Sequence, residues 1–464
     1  MKQLIILLSL TLTWSLANPL KAQQAQQMSL SLKQAQEYAI QHNLNMKNAQ
    51  IDIELAKKKI WETKAIGLPQ ISATGSYQHL FSVPELSFGG LTTISDNRKS
   101  QSYSVASTGT PGDSVYLNYF PYDPVKLGVK DNATLDITLS QLIFSGEYIV
   151  GLQATKVFLE ISQNSLQSAE TDMKESVANT YYLVQILDRN KQILSQSLEN
   201  LTATLGQMKE MNKAGFIEDT DVDQIELTLH TLENGVKTID NQITAASDLL
   251  KFQLGLPFET EVVLTESLDN VIQSSDIMSV VMKQFQVKNH ISYKILENQE
   301  AAGTLNLKRQ KSAYLPNMAA FYKHSEKAKK AGIDFTMKDM VGVSLNIPIF
   351  SSGQRNVMVQ ERQLELEKIK NSKETVAQGL QLDFIKSRND LNSSYDKFMN
   401  EKRNIELTDR IYKKTLVKYK EGVSSSMDLT NAQNQYLTAQ SNYFNSLYSL
   451  LTAKNKLEKM LNIQ

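Results

Sequence analysis

The chain has 464 residues, and its 49 Lys and Arg residues balance 49 Asp and Glu residues. A nucleic-acid-binding domain usually carries a basic excess, so this neutral composition argues against nucleic acid as a partner. The chain contains no cysteine, which excludes disulfides, thiolate metal sites, cysteine nucleophiles and a lipid-modified cysteine anchor.

Residues 1–22 have the pattern of a secretory signal peptide. Lys2 gives the positive start, residues 4–16 are apolar, and Ala22 suits the position before the cleavage site, with Ala17 as the weaker alternative. An uncleaved membrane anchor would need a longer apolar stretch. No later run of about 18 apolar residues occurs. We therefore expect an exported chain that is either soluble or crosses a membrane as a closed barrel, because barrels also satisfy every backbone polar group in lipid.

Residues 23–255 are predicted to form the first copy of a repeated plan. Its elements are a helix over 34–66, strands at about 71–81 and 133–144 joined by the long loop 82–132, the long helix 147–214 and the returning helix 219–254. The long helix carries apolar residues at steps of four and three, a period of 3.5 that predicts supercoiled helix packing. A helix of about 68 residues is roughly 100 Å long. A simple fibrous coiled coil would also contain helices of this length, so it is the alternative interpretation.

The two strands of this copy alternate between apolar and polar residues. Leu135, Ile137 and Leu139 share one face, whereas Asp136 and Thr138 lie on the other. Alternation over about ten residues, with aromatic residues near the ends, is typical of a membrane-barrel strand, although a half-buried sheet of a soluble domain is the alternative. Because the loop 82–132 joins two such strands, we expect it at the extracellular end.

A linker and equatorial segment, 256–288, precedes the second copy in residues 289–464. This copy is predicted to contain a helix over 289–312, strands at about 317–324 and 341–350, the long helix 354–421 and the returning helix 424–461. Four strands cannot close a lipid-facing barrel, so a membrane interpretation requires an oligomer.

Matching motifs show that the two copies are a duplication. Pro69 and Pro316 are 247 residues apart, whereas Gly215 and Gly422 are 207 apart, so the first copy has about 40 extra residues between its strands. The predicted joints between strands and helices contain residues that break regular structure. These joint residues are Pro69, Gly146, Pro316, Pro348 and Gly353.

In this order, and with the plan present twice, the motifs resemble the TolC outer-membrane efflux family. The matching signatures are Leu68-Pro69-Gln70 before a strand, the segment 347–353 at the end of a strand, and Tyr419, Gly422 and Asp428 around the second turn. The resemblance covers nearly the whole mature chain. It implies a mostly α fold with a small β part, built as a homotrimer. Three subunits would form a 12-stranded transmembrane β-barrel that a long periplasmic α-helical barrel continues.

The resemblance also implies partners and a role. Outer-membrane lipid would surround the barrel, and the tunnel mouth would dock a periplasmic membrane-fusion adaptor and an inner-membrane pump of the RND or ABC type. The chain would then serve a tripartite efflux pump or a type I secretion system as a passive exit duct. Segments 31–42 and 256–288 and the chain end would form a belt around the middle of the tunnel.

By the same resemblance, the turns at Gly215 and Gly422 form a periplasmic gate. The family's gate tyrosine matches Tyr419, and its Thr-Asp pair matches Thr220-Asp221. Its linking arginine falls at Ser424, so the charged link is absent here, and its two acidic ring positions fall at Asp428 and Asn431. The resemblance implies a hydrogen bond from Tyr419 toward Asp221 and one charged ring made by Asp428. Alternatively, Asp221 and Asp428 are ordinary acidic residues at helix N-termini, and both interpretations can hold together.

Motifs of enzymes are missing from the sequence. The five histidines are scattered singly without metal-ligand spacing, and neither a Gly-Lys-Ser/Thr phosphate loop nor a Gly-x-Ser-x-Gly motif occurs. We therefore expect no enzyme activity, no cofactor and no metal. The rival interpretation is a periplasmic coiled-coil adaptor or scaffold, which would carry one helical hairpin flanked by compact β domains rather than two hairpins.

Overall fold

A computed structural model of the chain describes residues 27–86, 89–93, 102–107, 114–121, 125–126, 128–268, 277–330, 334 and 336–463. The predicted signal peptide lies outside these residues. The fold is mostly helical with a small sheet part, as the sequence predicts. The chain divides into two compact units, one formed by residues up to 56, 157–301 and 367–464, and the other by 57–156 and 302–366.

The helices follow the predicted duplication. The first copy contains α1 (Leu32–His42), α2 (Leu44–Ile66), α3 (Gly146–Lys213) and α4 (Asp219–Leu254). The short helix α5 (Ile277–Val281) lies in the linker segment, and the second copy contains α6 (Ile291–Ser312), α7 (Gln354–Lys420) and α8 (Ser426–Met460). Among the described residues, none of these helices combines the length and apolar character that a membrane-spanning helix needs.

Most of the described strands belong to the first copy. These are β1 (Met28–Leu30), β2 (Gln70–His79), β3 (Glu85–Leu86), β4 (Gly89–Thr93), β5 (Ser102–Ser107), β6 (Ser114–Pro121), β7 (Val125–Lys126) and β8 (Asp131–Ser145). Strand β9 (Val262–Leu264) lies in the linker segment, and β10 (Asn317–Lys327) and β11 (Asp339–Asn346) lie in the second copy.

The core of the helical unit is made by the apolar stripes of its long helices. Val177 on α3, Leu391 on α7 and Leu447 and Leu457 on α8 are completely buried in one cluster. All four belong to the period-3.5 pattern of the sequence, which explains why these helices pack along their length.

A two-stranded parallel sheet is attached to this core by a buried tyrosine. Strand β1 pairs with β9, so that Met28 lies opposite Val262. The Tyr181 hydroxyl donates to the Leu30 carbonyl at 3.1 Å and accepts from the Glu266 amide at 3.3 Å. Burial raises the pKa of Tyr181 to about 12, so the hydroxyl stays protonated and keeps the sheet fixed to α3.

The second unit contains a four-stranded antiparallel sheet in the order β11-β10-β8-β2. One face is apolar and exposed: Ile71 is 76% exposed and Val341 is 80% exposed. The opposite face is polar and includes an ion pair between Lys323 and Asp136 at 2.7 Å. Within the described residues, β2 and β11 each pair with a single strand, so both edges of the sheet are open.

The structure differs from the sequence prediction in the segment 82–132, which was expected to be a loop. Its described residues include five short strands, with β4, β6 and β5 in one sheet and β3 and β7 in another. Strand β6 has the sequence Ser-Val-Tyr-Leu-Asn-Tyr-Phe-Pro, which is rich in aromatic and branched residues that favour strands. The prediction gave too much weight to the Ser, Gly and Asp residues around it.

Two element boundaries also differ from the prediction. The helix expected over 34–66 is broken at Asn43, whose backbone is extended and whose side-chain amide donates to the Gln253 carbonyl at 2.9 Å. The last strand, expected over 341–350, ends at Asn346. Pro348 lacks an amide hydrogen for a sheet ladder, which explains the early end.

The predicted joints lie at element boundaries. Pro69 and Pro316 directly precede β2 and β10, and Gly353 directly precedes α7 with a φ of +81°. Gly146 starts α3 where the chain is tightly packed. A Cβ atom there would lie 2.9 Å from Leu315 Cδ1 and 3.2 Å from the Ser312 carbonyl oxygen, so a larger residue would require these neighbours to shift.

Candidate functional site at the hairpin turns

The turns that end α3 and α7 have the same backbone geometry. Gly215 and Gly422 adopt φ angles of +78° and +73°, a region that glycine occupies without strain. The amides of Gly215 and Phe216 donate to the carbonyls of Asn212 and Met211, and the equivalent amides in the second turn make equivalent bonds. This pairing satisfies the last carbonyls of each long helix.

The side chains at the two turns are different. In the first turn, Asn212 Nδ2 donates to the Ile217 carbonyl at 3.1 Å and to Asp219 Oδ1 at 2.8 Å. Tyr419 occupies the equivalent position in the second turn. Burial, and then the nearby negative charge of Asp221, raise the pKa of the Tyr419 hydroxyl. The tyrosine is therefore neutral at physiological pH and lies near the carboxylate of Asp221.

The partner of Asp221 is not the one that the family resemblance implies. Its Oδ1 accepts a hydrogen bond from the buried Ser426 hydroxyl at the start of α8. In the described part of the chain, the Tyr419 hydroxyl makes no hydrogen bond to Asp221, so the expected Tyr419–Asp221 bond is absent. The two hairpins are nevertheless linked at their turns, because Asp221 belongs to α4 and Ser426 belongs to α8.

Asp428 completes the N-terminal cap of α8. Its carboxylate accepts from the Ser425 amide at 3.1 Å and the Ser425 hydroxyl at 2.8 Å, while its own amide donates to Ser425 Oγ. Ser424 Oγ also donates to it at 3.2 Å. The Ser425 and Ser424 hydrogen bonds lower the pKa of Asp428, so the carboxylate is charged. The sequence allowed two roles for Asp428, in an acidic ring or at a helix N-terminus, and the structure places it in the N-terminal cap of α8.

The other candidate gate residues are at the surface of the subunit. Thr220 is exposed and donates to Glu218 Oε2 at 3.3 Å, and Asn431 is exposed on α8. Sequence reasoning missed Ser426 and Asn212. A hydroxyl directly after the cap residue Ser425, and an amide three residues before a turn glycine, are the signals that could have identified them.

Buried polar groups without partners lie close to the second turn. Gln433 is 1% exposed, and neither its side-chain nitrogen nor its oxygen has a hydrogen-bond partner among the described residues. The Thr430 hydroxyl is likewise buried and unpaired there. Each such group carries a desolvation cost of about 1–3 kcal/mol. The packing of α8 next to the turn therefore includes buried groups that oppose the closed arrangement of this helix.

The described residues contain no group of three or more His, Asp or Glu side chains that could hold a metal ion.

Comparisons with known proteins identify similar chains. The model of the outer membrane efflux protein family matches residues 35–256 and 298–462. A search of curated proteins finds no match. Among solved structures, that of the transmembrane channel protein CusC superimposes with a TM-score of 0.70 at 13% identity, covering 93% of this chain and 92% of that one.

Two further structures match with a TM-score of 0.67 and cover 93% of this chain. The outer membrane protein VceC from Vibrio cholerae is 14% identical and is covered over 97% of its length. The outer membrane channel CmeC of Campylobacter jejuni is 15% identical and is covered over 85%. At these identities the likeness concerns the fold.

Proposed function

Because the chain belongs to the outer membrane efflux protein family, a family of outer membrane channels that extend into the periplasm, we propose that it is the exit duct of a tripartite efflux pump or a type I secretion system. Substrates would pass through it without chemical change. A periplasmic adaptor would dock at the turns of the helical hairpins, and an inner-membrane pump of the RND or ABC type would deliver the substrate.

The sheet β11-β10-β8-β2 is the observation that supports this proposal most directly. Its exposed apolar face suits lipid, and its polar face, with Lys323 and Asp136 paired, suits water. Open strand edges are not tolerated in lipid, because their backbone groups would lose hydrogen bonds. The edges of β2 and β11 run antiparallel, so β11 of one subunit can pair with β2 of the next. Three copies would close a barrel of 12 strands.

The hairpin turns supply the proposed gate. The contact between Asp221 and Ser426 joins the two hairpins of one subunit, and we assign it to the closed state. Opening would separate α8 from α4 at this end. The buried, unpaired Gln433 and Thr430 lower the cost of that movement, because these groups gain water on opening.

Channel recording on the purified protein tests the proposal. The detergent-extracted protein should insert into a planar lipid bilayer and give discrete ion-conducting steps. Recovery of the folded protein in the soluble fraction, without detergent and without channel activity, would contradict the proposal and favour the alternative of a periplasmic adaptor or scaffold.

A further inference from the structure

Helices α2 and α6, which lead into strands β2 and β10, both end in exposed basic side chains. The last ten residues of α2 and the last five of α6 contain a single acid, Glu62. Its carboxylate pairs with Lys59 at 2.7 Å. The basic residues of the two helix ends, all of them exposed, are Lys57, Lys58, Lys59, Lys64, Lys308, Arg309 and Lys311.

Most of these charges are not neutralised by a neighbour. Lys58, Lys64, Arg309 and Lys311 have no acidic partner in the part of the chain that the structure describes, and Lys308 donates only to the Gln153 amide oxygen at 3.1 Å. We call Lys58, Lys64, Arg309 and Lys311 the basic collar. Unpaired cations gathered at the end of a sheet attract an anionic partner.

Apolar and aromatic side chains lie beside the collar. Lys64 and Leu68 are four residues apart, as are their repeat equivalents Lys311 and Leu315, and both leucines are exposed. Trp61 is 63% exposed, one turn before Lys64. Tryptophan beside lysine is the combination found where a membrane protein meets the lipid headgroups, because the ring lies at the boundary and the ammonium reaches the phosphates.

The opposite end of the same sheet contains lysines that are paired with carboxylates. Lys329 lies 3.4 Å from Asp131, and Lys338 lies 3.0 Å from Glu326, whereas Lys130 and Lys330 have no ion pair among the described residues. The two paired lysines therefore provide a matched comparison for the unpaired cations of the collar.

Two members of the collar lie close to the strands along the chain. Lys64 and Lys311 each precede the first residue of their strand, Gln70 and Asn317, by six residues. Both lysines lie in the last turn of their helices, which end at Ile66 and Ser312. The polar headgroup layer on one side of a bilayer has a thickness of about 5–8 Å beyond the hydrocarbon, and a lysine side chain can reach it.

We propose that the basic collar binds the headgroups of anionic phospholipids in the inner leaflet of the outer membrane. This proposal rests on the proposed function, since it requires that the sheet spans the membrane. The collar holds the periplasmic end of the sheet at a fixed depth and draws anionic lipid to the rim of the shared barrel.

Native mass spectrometry of the detergent-extracted protein, titrated with phosphatidylglycerol or phosphatidylethanolamine, tests the proposal. The wild-type protein should retain phosphatidylglycerol in preference, and raising the ionic strength should reduce that preference. A variant with Lys58→Gln, Lys64→Gln, Arg309→Gln and Lys311→Gln should bind phosphatidylglycerol at least ten-fold more weakly. The control variant, with Lys329→Gln and Lys338→Gln at the other end of the sheet, should bind it like the wild type.

Equal retention of the two lipids by the wild type, or equal phosphatidylglycerol binding by the collar variant and the wild type, overturns the proposal. A comparable loss in the control variant also overturns it, because the effect would then follow total charge. Channel recording separates this failure from failure of the proposed function. A wild-type protein that conducts but shows no lipid preference refutes the collar alone, whereas a protein that never conducts refutes the duct.

Discussion

Removing the Ser426 hydroxyl should destabilise the closed state of the proposed gate. Ser426 is buried at the start of α8, and its hydroxyl donates to the carboxylate of Asp221 on α4. A hydrogen bond to a charged group contributes about 1.5–3 kcal/mol, which corresponds to a factor of about 10 to 150 in an equilibrium. Because Asp221 is partly exposed, we expect the lower end, so Ser426→Ala should raise the ratio of open to closed states about ten-fold.

Single-channel recording in planar bilayers at fixed salt measures this ratio. Ser449→Ala is the matched control, since that hydroxyl lies on the exposed side of α8 and donates only to its own helix at 2.8 Å. In a double-mutant cycle, Asp221→Ala should add little to Ser426→Ala, because both remove one interaction. Tyr419→Phe should leave this link intact. Additive effects of Ser426→Ala and Asp221→Ala, or no effect of Ser426→Ala, would refute the reasoning.

Three further predictions concern other parts of the chain. Asp428→Ala should lower the stability of α8 by about 1 kcal/mol, measured by thermal melting, because the helix loses its N-terminal cap. The same variant should weaken the cation selectivity of the channel if the Asp428 carboxylates also form a ring in the lumen. Unchanged selectivity would exclude the ring. Burial, and then the positive charge of Lys459, lower the pKa of His290 in the folded protein, whereas Asp172 raises it. The unfolded state therefore binds protons more readily than the folded state, and the stability of the fold should decrease as the pH drops below about 6.5. His290→Asn should reduce this loss between pH 7 and 5, whereas His230→Gln should not, and identical acid sensitivity of wild type and His290→Asn would contradict the linkage. An impermeant thiol reagent should label Ser107→Cys on whole cells but Ser424→Cys only after the outer membrane is broken, and the reverse pattern would invert the topology.

The regular parts of the fold follow from repeating patterns in the sequence. The period-3.5 stripe through Val177 and Leu447 predicts long packed helices because the same spacing recurs over many turns. Alternation through Leu135, Ile137 and Leu139 predicts a strand with one apolar face, because side chains alternate along a strand. These patterns are local, so the sequence alone predicts a mostly helical chain with a small sheet.

Contacts between elements were harder to predict. Whether Ser426 on α8 or Tyr419 on α7 meets Asp221 depends on how these two helices pack against α4, and no local pattern sets that packing. The break at Asn43 likewise depends on the Gln253 carbonyl, which lies 210 residues away in sequence. The short strands within 82–132 were missed because turn-forming residues separate their runs of β-forming residues.

Native mass spectrometry of the mature protein, released from detergent micelles, tests the central claim most directly. Open edges at β2 and β11 require a neighbour, so we expect a homotrimer with no stable folded monomer. A folded monomer that persists and still conducts in a bilayer would contradict the shared barrel on which the proposed function depends.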